Sequence, residues 1–363
     1  MKDAELDLNN NPYLSIVMTS RNDDHGGNAL QRMQVSLNDR LEQLEKYRIS
    51  SELIVVEWNP PADRPPLKDI IQWPRGLKSC TIRIIIVPPK VHQRWEHWDK
   101  TPMNVVAALN CGIKRARGQY VFPGHIDMIY SEELMALFAD RTLKEDERYR
   151  IDRCDVDSDV VQYDTLSKQL DFCRKHIIHT HSQAPPSQRE KLPNLHTNAA
   201  GDFQLMSRNN WHRLRGYRET DIVSAYADGL LSFASFAAGI REVVLKDPLR
   251  LYHIDHGEKF NERPRSDGLP YENLLKLPLL PEKFNKLLLR LYRITLTTFG
   301  FELKGNENGI PTLHFATYRK IAKEIVEGKR PYIFNDNNWG LGQDTLKDYV
   351  ISTAEWDKDT KKN

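Results

Sequence analysis

Apolar and polar positions fall in short blocks along the first third of the chain. Leu14-Ser15-Ile16-Val17-Met18-Thr19 is an apolar run that passes into a polar stretch, Ser20 to Asn28, and predicts a buried strand ending in a loop. From Ala29 to Tyr47 the apolar residues stand at Leu30, Met33, Leu37, Leu41 and Leu44, the spacing of one helix face. Glu52 to Glu57 predicts a second strand, closed by Asn59-Pro60-Pro61, and Thr81 to Val87 a third, bounded by Pro88-Pro89. Asn104 to Arg117 predicts a helix stopped at Gly118. Gln119 to Phe122 predicts a fourth strand running straight into Gly124-His125-Ile126-Asp127.

Strands alternating with helices imply parallel pairing in a doubly wound α/β sheet. Ligands bind such sheets beyond the carboxyl ends of the strands. Thr19 to Asp24, Glu57 to Asn59 and His125 to Asp127 all fall at that edge.

The pattern beyond Ser131 is less regular. A short helix is followed by a charged run, Lys144 to Arg153, in which Tyr149-Arg150-Ile151-Asp152-Arg153 predicts a salt-bridged surface strand. Lys175 to Asn198, rich in His, Pro, Ser and Gln, predicts a long loop of the kind that serves as a lid. Strands are predicted at Gly201–Ser207, Glu242–Leu245 and Leu249–His253, a short amphipathic piece at Trp211–Gly216, and a helix at Asp228–Ala238. From about Tyr271 the pattern is helical, at Lys283–Phe299 and Thr317–Glu327, before a turn-rich segment around Trp339. That segment reads either as a cap with Trp339 stacked on a sugar or as a docked tail.

Composition narrows the function classes. Of 363 residues, 40% are hydrophobic and 28% charged, with a net charge of +2, so the chain reads as globular with no nucleic-acid partner. Cys80, Cys111, Cys154 and Cys173 form no CxxC pair and read as free thiols. Met1 to Asn11 is polar and acidic, unlike a secretory signal, and no apolar run is long enough to span a bilayer. The expectation is a cytoplasmic protein without a transmembrane segment, peripheral membrane contact being left open.

Two readings stand for Asp127: N-cap of the segment that follows, or ligand to a hard cation on a diphosphate. Glu57 ends a strand of Ile and Val, so its carboxylate needs a partner. In the loop Ser20 to Asn28, Arg21 suits a phosphate and Asp23 or Asp24 a base or ribose, the alternative being a solvated loop with a Gly-Gly turn.

Residues 14–134 resemble the nucleotide-binding half of family-2-like glycosyltransferases of the GT-A fold. The resemblance is carried by Leu14 to Asn22, by Ile54-Val55-Val56-Glu57, by Asn110-Cys111-Gly112-Ile113 leading to Gly118-Gln119-Tyr120, and by His125-Ile126-Asp127 where the family has Asp-x-Asp. His125 replaces the first acid. In the second half, Asn198 to Met206 resembles the acceptor-side strand, Tyr226-Ala227-Asp228 the acidic helix start, and Leu251-Tyr252-His253 a Tyr-His that supplies a metal ligand in some members.

The resemblance implies a GT-A type doubly wound mixed sheet over 12–262, with a Rossmann-like nucleotide-sugar half (12–134) and an acceptor half (135–262), and a helical C-terminal extension over 271–363. It implies transfer of a sugar from a nucleotide sugar, a UDP-sugar by default, to a hydroxyl of a glycan or other acceptor. Asp127 and His253 would hold Mn²⁺ or Mg²⁺, with His256 placed second to His253 because strand alternation points it to the other face. Thr19, Arg21, Asn22, Glu57, Asn110 and His125 would meet the nucleotide, and Asp202 the acceptor. Asp228 would be the general base of an inverting reaction. The rivals are a catalytically degenerate nucleotide-sugar-binding protein, favoured by the missing acid, and a nucleotidyltransferase, disfavoured because Gly26-Gly27 is followed by Asn28-Ala29 rather than a basic residue.

Overall fold

The computed structural model describes residues 11–185, 192–220, 226–256, 281–299, 304–307 and 310–351. Part of the expected 175–198 loop and the start of the expected extension lie outside them. Within the described residues the architecture is mixed α/β, built on a large mixed sheet.

The first four strands are β1 (Leu14–Ser20), β2 (Ser51–Trp58), β3 (Cys80–Val87) and β4 (Tyr120–Pro123), paired in parallel in the order β4-β1-β2-β3. Helix Ala29–Lys46 covers one face, burying Met33, Leu37, Leu41 and Leu44 against Leu14, Ile16 and Met18. Helix Val105–Arg115 covers the other, against Val17, Ile54 and Val56. Gly112 is where that helix meets the sheet; a Cβ there would stand 2.4 Å from Val17 Cγ1.

Two further strands follow β4, β5 (Met128–Tyr130) and β6 (Glu147–Ile151). Later come β7 (Arg153–Val156), β8 (Ile177–His181), β9 (Leu205–Ser207), β10 (Arg241–Leu245) and β11 (Leu251–Ile254). A small hairpin, β12 (Lys304–Glu307) with β13 (Ile310–Leu313), and β14 (Lys347–Ile351) complete the strands. The large sheet has the order β10-β6-β9-β4-β1-β2-β3-β14, with β9 and β14 antiparallel to their neighbours. A second sheet, β5-β11-β7-β8, is reached directly from the first at three places, one of them the step from β10 to β11. β4 leads through 124–127 into β5, and β6 leads through Asp152 into β7.

Several expectations are corrected. The charged stretch at β6 is no surface strand: all five of its residues are buried, between β9 and β10. Arg148 is held by Gln204 and Glu242, and Arg150 donates to the carbonyls of His196, Asn198 and Ala200. Lys175–Asn198 is not all loop, since β8 pairs with β7. The predicted strand Gly201–Ser207 is a 3₁₀ turn over Ala200–Asp202 followed by the shorter β9. The C-terminal stretch is more than helical, because β14 pairs with β3 at the edge of the large sheet. Trp339 is 2% exposed, in the core with Lys114 Nζ 4.6 Å from its ring, so it is a docked anchor and not a stacking surface for a sugar. All four cysteines are buried free thiols. No helix among the described residues is long and apolar enough to cross a membrane.

Candidate functional site

The passage from β4 to β5 leaves the carboxyl end of β4, which lies parallel beside β1. The 124–127 passage carries His125 and Asp127, and the N–H of Ile254 donates to the Asp127 carbonyl at 3.0 Å, fixing the end of β11 against it. Asp127 is 5% exposed. It does not cap the next helix; Ser131 does, accepting from Leu134 N–H at 3.2 Å. The N-cap reading of Asp127 is thereby excluded.

Three groups converge here. His253 Nε2 lies 3.8 Å and His256 Nε2 3.7 Å from Asp127 Oδ2, and one ligand atom from each of the three lies within 4.8 Å of the others. The alternation argument misdirects His256 because β11 ends at Ile254; beyond a strand's end the period of two no longer applies. Arg32, from helix Ala29–Lys46, reaches the same carboxylate, Nε to Oδ2 3.6 Å, while its guanidinium donates to the carbonyls of His25, Gly26 and Gly27. It thus straps the first polar loop onto the cluster. Gly26 has φ +69°, and a Cβ there would stand 3.0 Å from Arg32 and 3.1 Å from His256, so only glycine suits this approach.

Burial works against ionising Asp127, but His253, His125, His256 and Arg32 outweigh it and hold its carboxyl below the usual range. Two imidazoles and one buried carboxylate within a few ångströms could hold a divalent cation, and by donor type the set suits a first-row transition metal better than the oxygen-preferring Mg²⁺.

Behind the cluster lies a network that sequence reasoning missed. Asp155, beside His253 in the parallel register of β7 and β11, accepts from His253 Nδ1 at 3.0 Å and from His181 Nε2 at 2.9 Å. With Nδ1 donating to Asp155, His253 Nε2 is left turned toward Asp127. Burial opposes its ionisation, but His253, Arg153 and His181 hold the Asp155 carboxyl well below the usual range. Arg153 also donates to Asp202 at 2.9 Å, whose other oxygen lies 3.3 Å from His125 Nε2. The only signal for Asp155 in the sequence is an acid two residues after Arg153, too common to single out. Asp155→Ala is expected to weaken Mn²⁺ binding about 10–100-fold, read by calorimetry, with the fold intact. Unchanged affinity would remove Asp155 from the site.

Asp228 approaches from helix Ala227–Ala237, in whose first turn it accepts from Gly229 N–H at 2.8 Å. A Cβ on Gly201 would stand 3.5 Å from Asp228 Oδ2 and 3.7 Å from His125 Nε2, so both groups border one glycine. Burial raises the Asp228 carboxyl, with Gly229 N–H and Arg150 opposing.

The residues expected to meet a nucleotide divide. Thr19, Arg21 and Asn22 end β1 or follow it, and Glu57 lies near the end of β2. Thr19 Oγ1 donates to the Val56 carbonyl at 3.0 Å, Asn22 Nδ2 to the Pro65 carbonyl at 2.9 Å, and Arg21 pairs with Asp23 at 3.1 Å. Glu57 Oε1 accepts from Leu67 N–H at 2.9 Å, while its buried Oε2 has no hydrogen-bond partner among the described residues. Asp24 accepts from Ala29 N–H at the start of the first helix, a structural task.

Asn110 is not brought to this group. It is fully buried, its amide donating to Tyr217 O and Glu219 and accepting from Tyr217 N–H, so it braces the 216–219 turn. A motif position on the inner face of a helix supports packing, which corrects its expected contact with a nucleotide. Asn110→Ala is expected to cost about 2–4 kcal/mol in chemical denaturation, since it leaves buried partners unpaired, and to leave Mn²⁺ affinity unchanged.

No family model and no curated protein matches the chain. Among solved structures it is similar to S. aureus TarS, at 12% identity and a TM-score of 0.40, over 78% of this chain and 43% of that one. The chain therefore spans less than half the length of that protein. It is also similar to S. aureus TarS 1–349 in complex with UDP-GlcNAc, at 12% identity and a TM-score of 0.39, over 79% of this chain and 73% of that one. Likeness so slight does not fix an activity.

Proposed function

We propose that the protein is a metal-assisted glycosyltransferase of GT-A layout, moving a sugar from a nucleoside-diphosphate sugar to a hydroxyl acceptor. The observation that carries this reading is the convergence of Asp127, His253 and His256 above the carboxyl ends of the central strands, with Asp228 bordering the same space through Gly201 and His125. A cation held by Asp127, His253 and His256 would supply Lewis-acid neutralisation of the departing diphosphate.

The chain's own residues do the rest. The loop 20–28, held down by Arg32, and the ends of β1 and β2 form the nucleoside side. There Glu57 Oε2, buried and without a hydrogen-bond partner among the described residues, accepts an N–H of the base, uracil being the default. Asp228 takes the proton of the acceptor hydroxyl as that oxygen attacks the anomeric carbon, giving inversion. Asp202, tied to Arg153 and His125, orients the acceptor beside it.

Calorimetric titration of UDP with and without Mn²⁺ tests the reading. Binding that appears only with the metal, followed by slow hydrolysis of UDP-sugars, supports it. UDP bound equally well in chelator, or no nucleotide binding at all, would sink it.

A further inference from the structure

Helix Glu282–Thr298 turns an apolar stripe outward. Leu288, Leu289, Tyr292 and Leu296 are half-buried on its inner side. Phe284, Leu287, Leu291 and Ile294 follow at helical spacing on another face and are 56%, 49%, 52% and 50% exposed. Phe299, just past the helix, is 75% exposed. Single exposed apolar side chains are ordinary, but a contiguous row of this size marks an interaction surface.

Charge says which kind. Lys283, Lys286 and Arg290 are exposed beside the stripe, and the only acid in the helix sequence is Glu282 at its first position. Two copies packed stripe to stripe would bring the cations of both helices together, like charge against like. An anionic lipid surface offers charge of the opposite sign and an apolar layer beneath it. The helix cannot cross a bilayer. A helix with an apolar row flanked by cations lies in the interface plane, the row in the acyl boundary and the cations among the headgroups.

We propose that the outer face of Glu282–Thr298 is a membrane-docking surface selective for anionic lipid. It is independent of the glycosyl-transfer reading and stands or falls separately. The test is sedimentation of the full chain with phosphatidylcholine vesicles with and without phosphatidylserine.

Binding is expected to the phosphatidylserine vesicles and to weaken with salt. Leu287→Ser/Leu291→Ser should lower that affinity at least roughly tenfold, and Lys283→Glu/Arg290→Glu should abolish the preference for phosphatidylserine. Because these side chains face outward, an unchanged melting temperature is expected in both variants and separates lost docking from lost fold. The proposal is overturned if the wild-type chain stays in the supernatant, if folded variants bind as it does, or if neutral vesicles serve equally. A dimer in light scattering that the leucine variant splits would assign the face to a second copy and overturn it too.

Discussion

Asp127→Ala is expected to abolish metal-dependent binding of UDP and to reduce sugar transfer by roughly two to four powers of ten. A cation on the leaving group is worth several kcal/mol in the transition state, and each 1.36 kcal/mol is about tenfold in rate. Asp127 is the sole carboxylate in the three-residue cluster, so its loss leaves two imidazoles with no anion between them. Neither His125 nor Asp202 can substitute without breaking the pair they make at 3.3 Å. Mn²⁺ binding followed by electron paramagnetic resonance reads the effect without turnover. The substitution also strands Arg32 and the two histidines around an empty carboxylate position, so the melting temperature should be recorded alongside. Intact Mn²⁺-dependent UDP binding in a folded Asp127→Ala protein would overturn the proposed function.

Asp228→Asn should separate binding from chemistry. Removing a general base lowers the rate by about 10²–10⁴-fold, while Mn²⁺ and UDP should bind as before, since Asp228 is not among the three clustered residues. The pH dependence gives a second readout. Burial raises the Asp228 carboxyl, Gly229 N–H and Arg150 pull it down, and Asp202 adds to the rise. A base acts when deprotonated, so activity should climb with pH along an acid limb lying above the ordinary carboxylate range. That limb should vanish from the residual activity of the variant. A variant that retains wild-type turnover, or one that loses Mn²⁺-dependent UDP binding, would remove Asp228 from the role of base.

How much of this was legible depends on which physical signal each element carries. β1, β2, β3 and helix Ala29–Lys46 read directly, because their apolar positions are buried with the period of their own geometry. β6 was misread for the opposite reason. A buried strand whose arginines are paid for by Gln204, Glu242 and backbone carbonyls shows the same alternation of charge as an exposed one. β14 escaped because its pairing with β3 is nearly the longest contact in sequence, and its residues are mostly exposed. At the site, Asp127, His253, Asp202 and Asp228 were singled out by resemblance, and the structure brings all four to one region. His256 was set aside by a periodicity that ends at Ile254, and Asp155, Arg32 and Arg153 act through partners far away in sequence, which no local pattern encodes.

The pairing of β14 with β3 has a consequence for synthesis of the chain. β3 is an isoleucine-rich strand whose outer edge is paired, among the described residues, by residues 347–351. Until the ribosome has delivered that stretch, the nascent chain carries an open apolar sheet edge, the commonest template for wrong pairing. Synthesis of residues 347–351 is therefore the event that seals that edge, and Arg83, bonded to both Glu52 within and Asp348 on the arriving strand, is the latch.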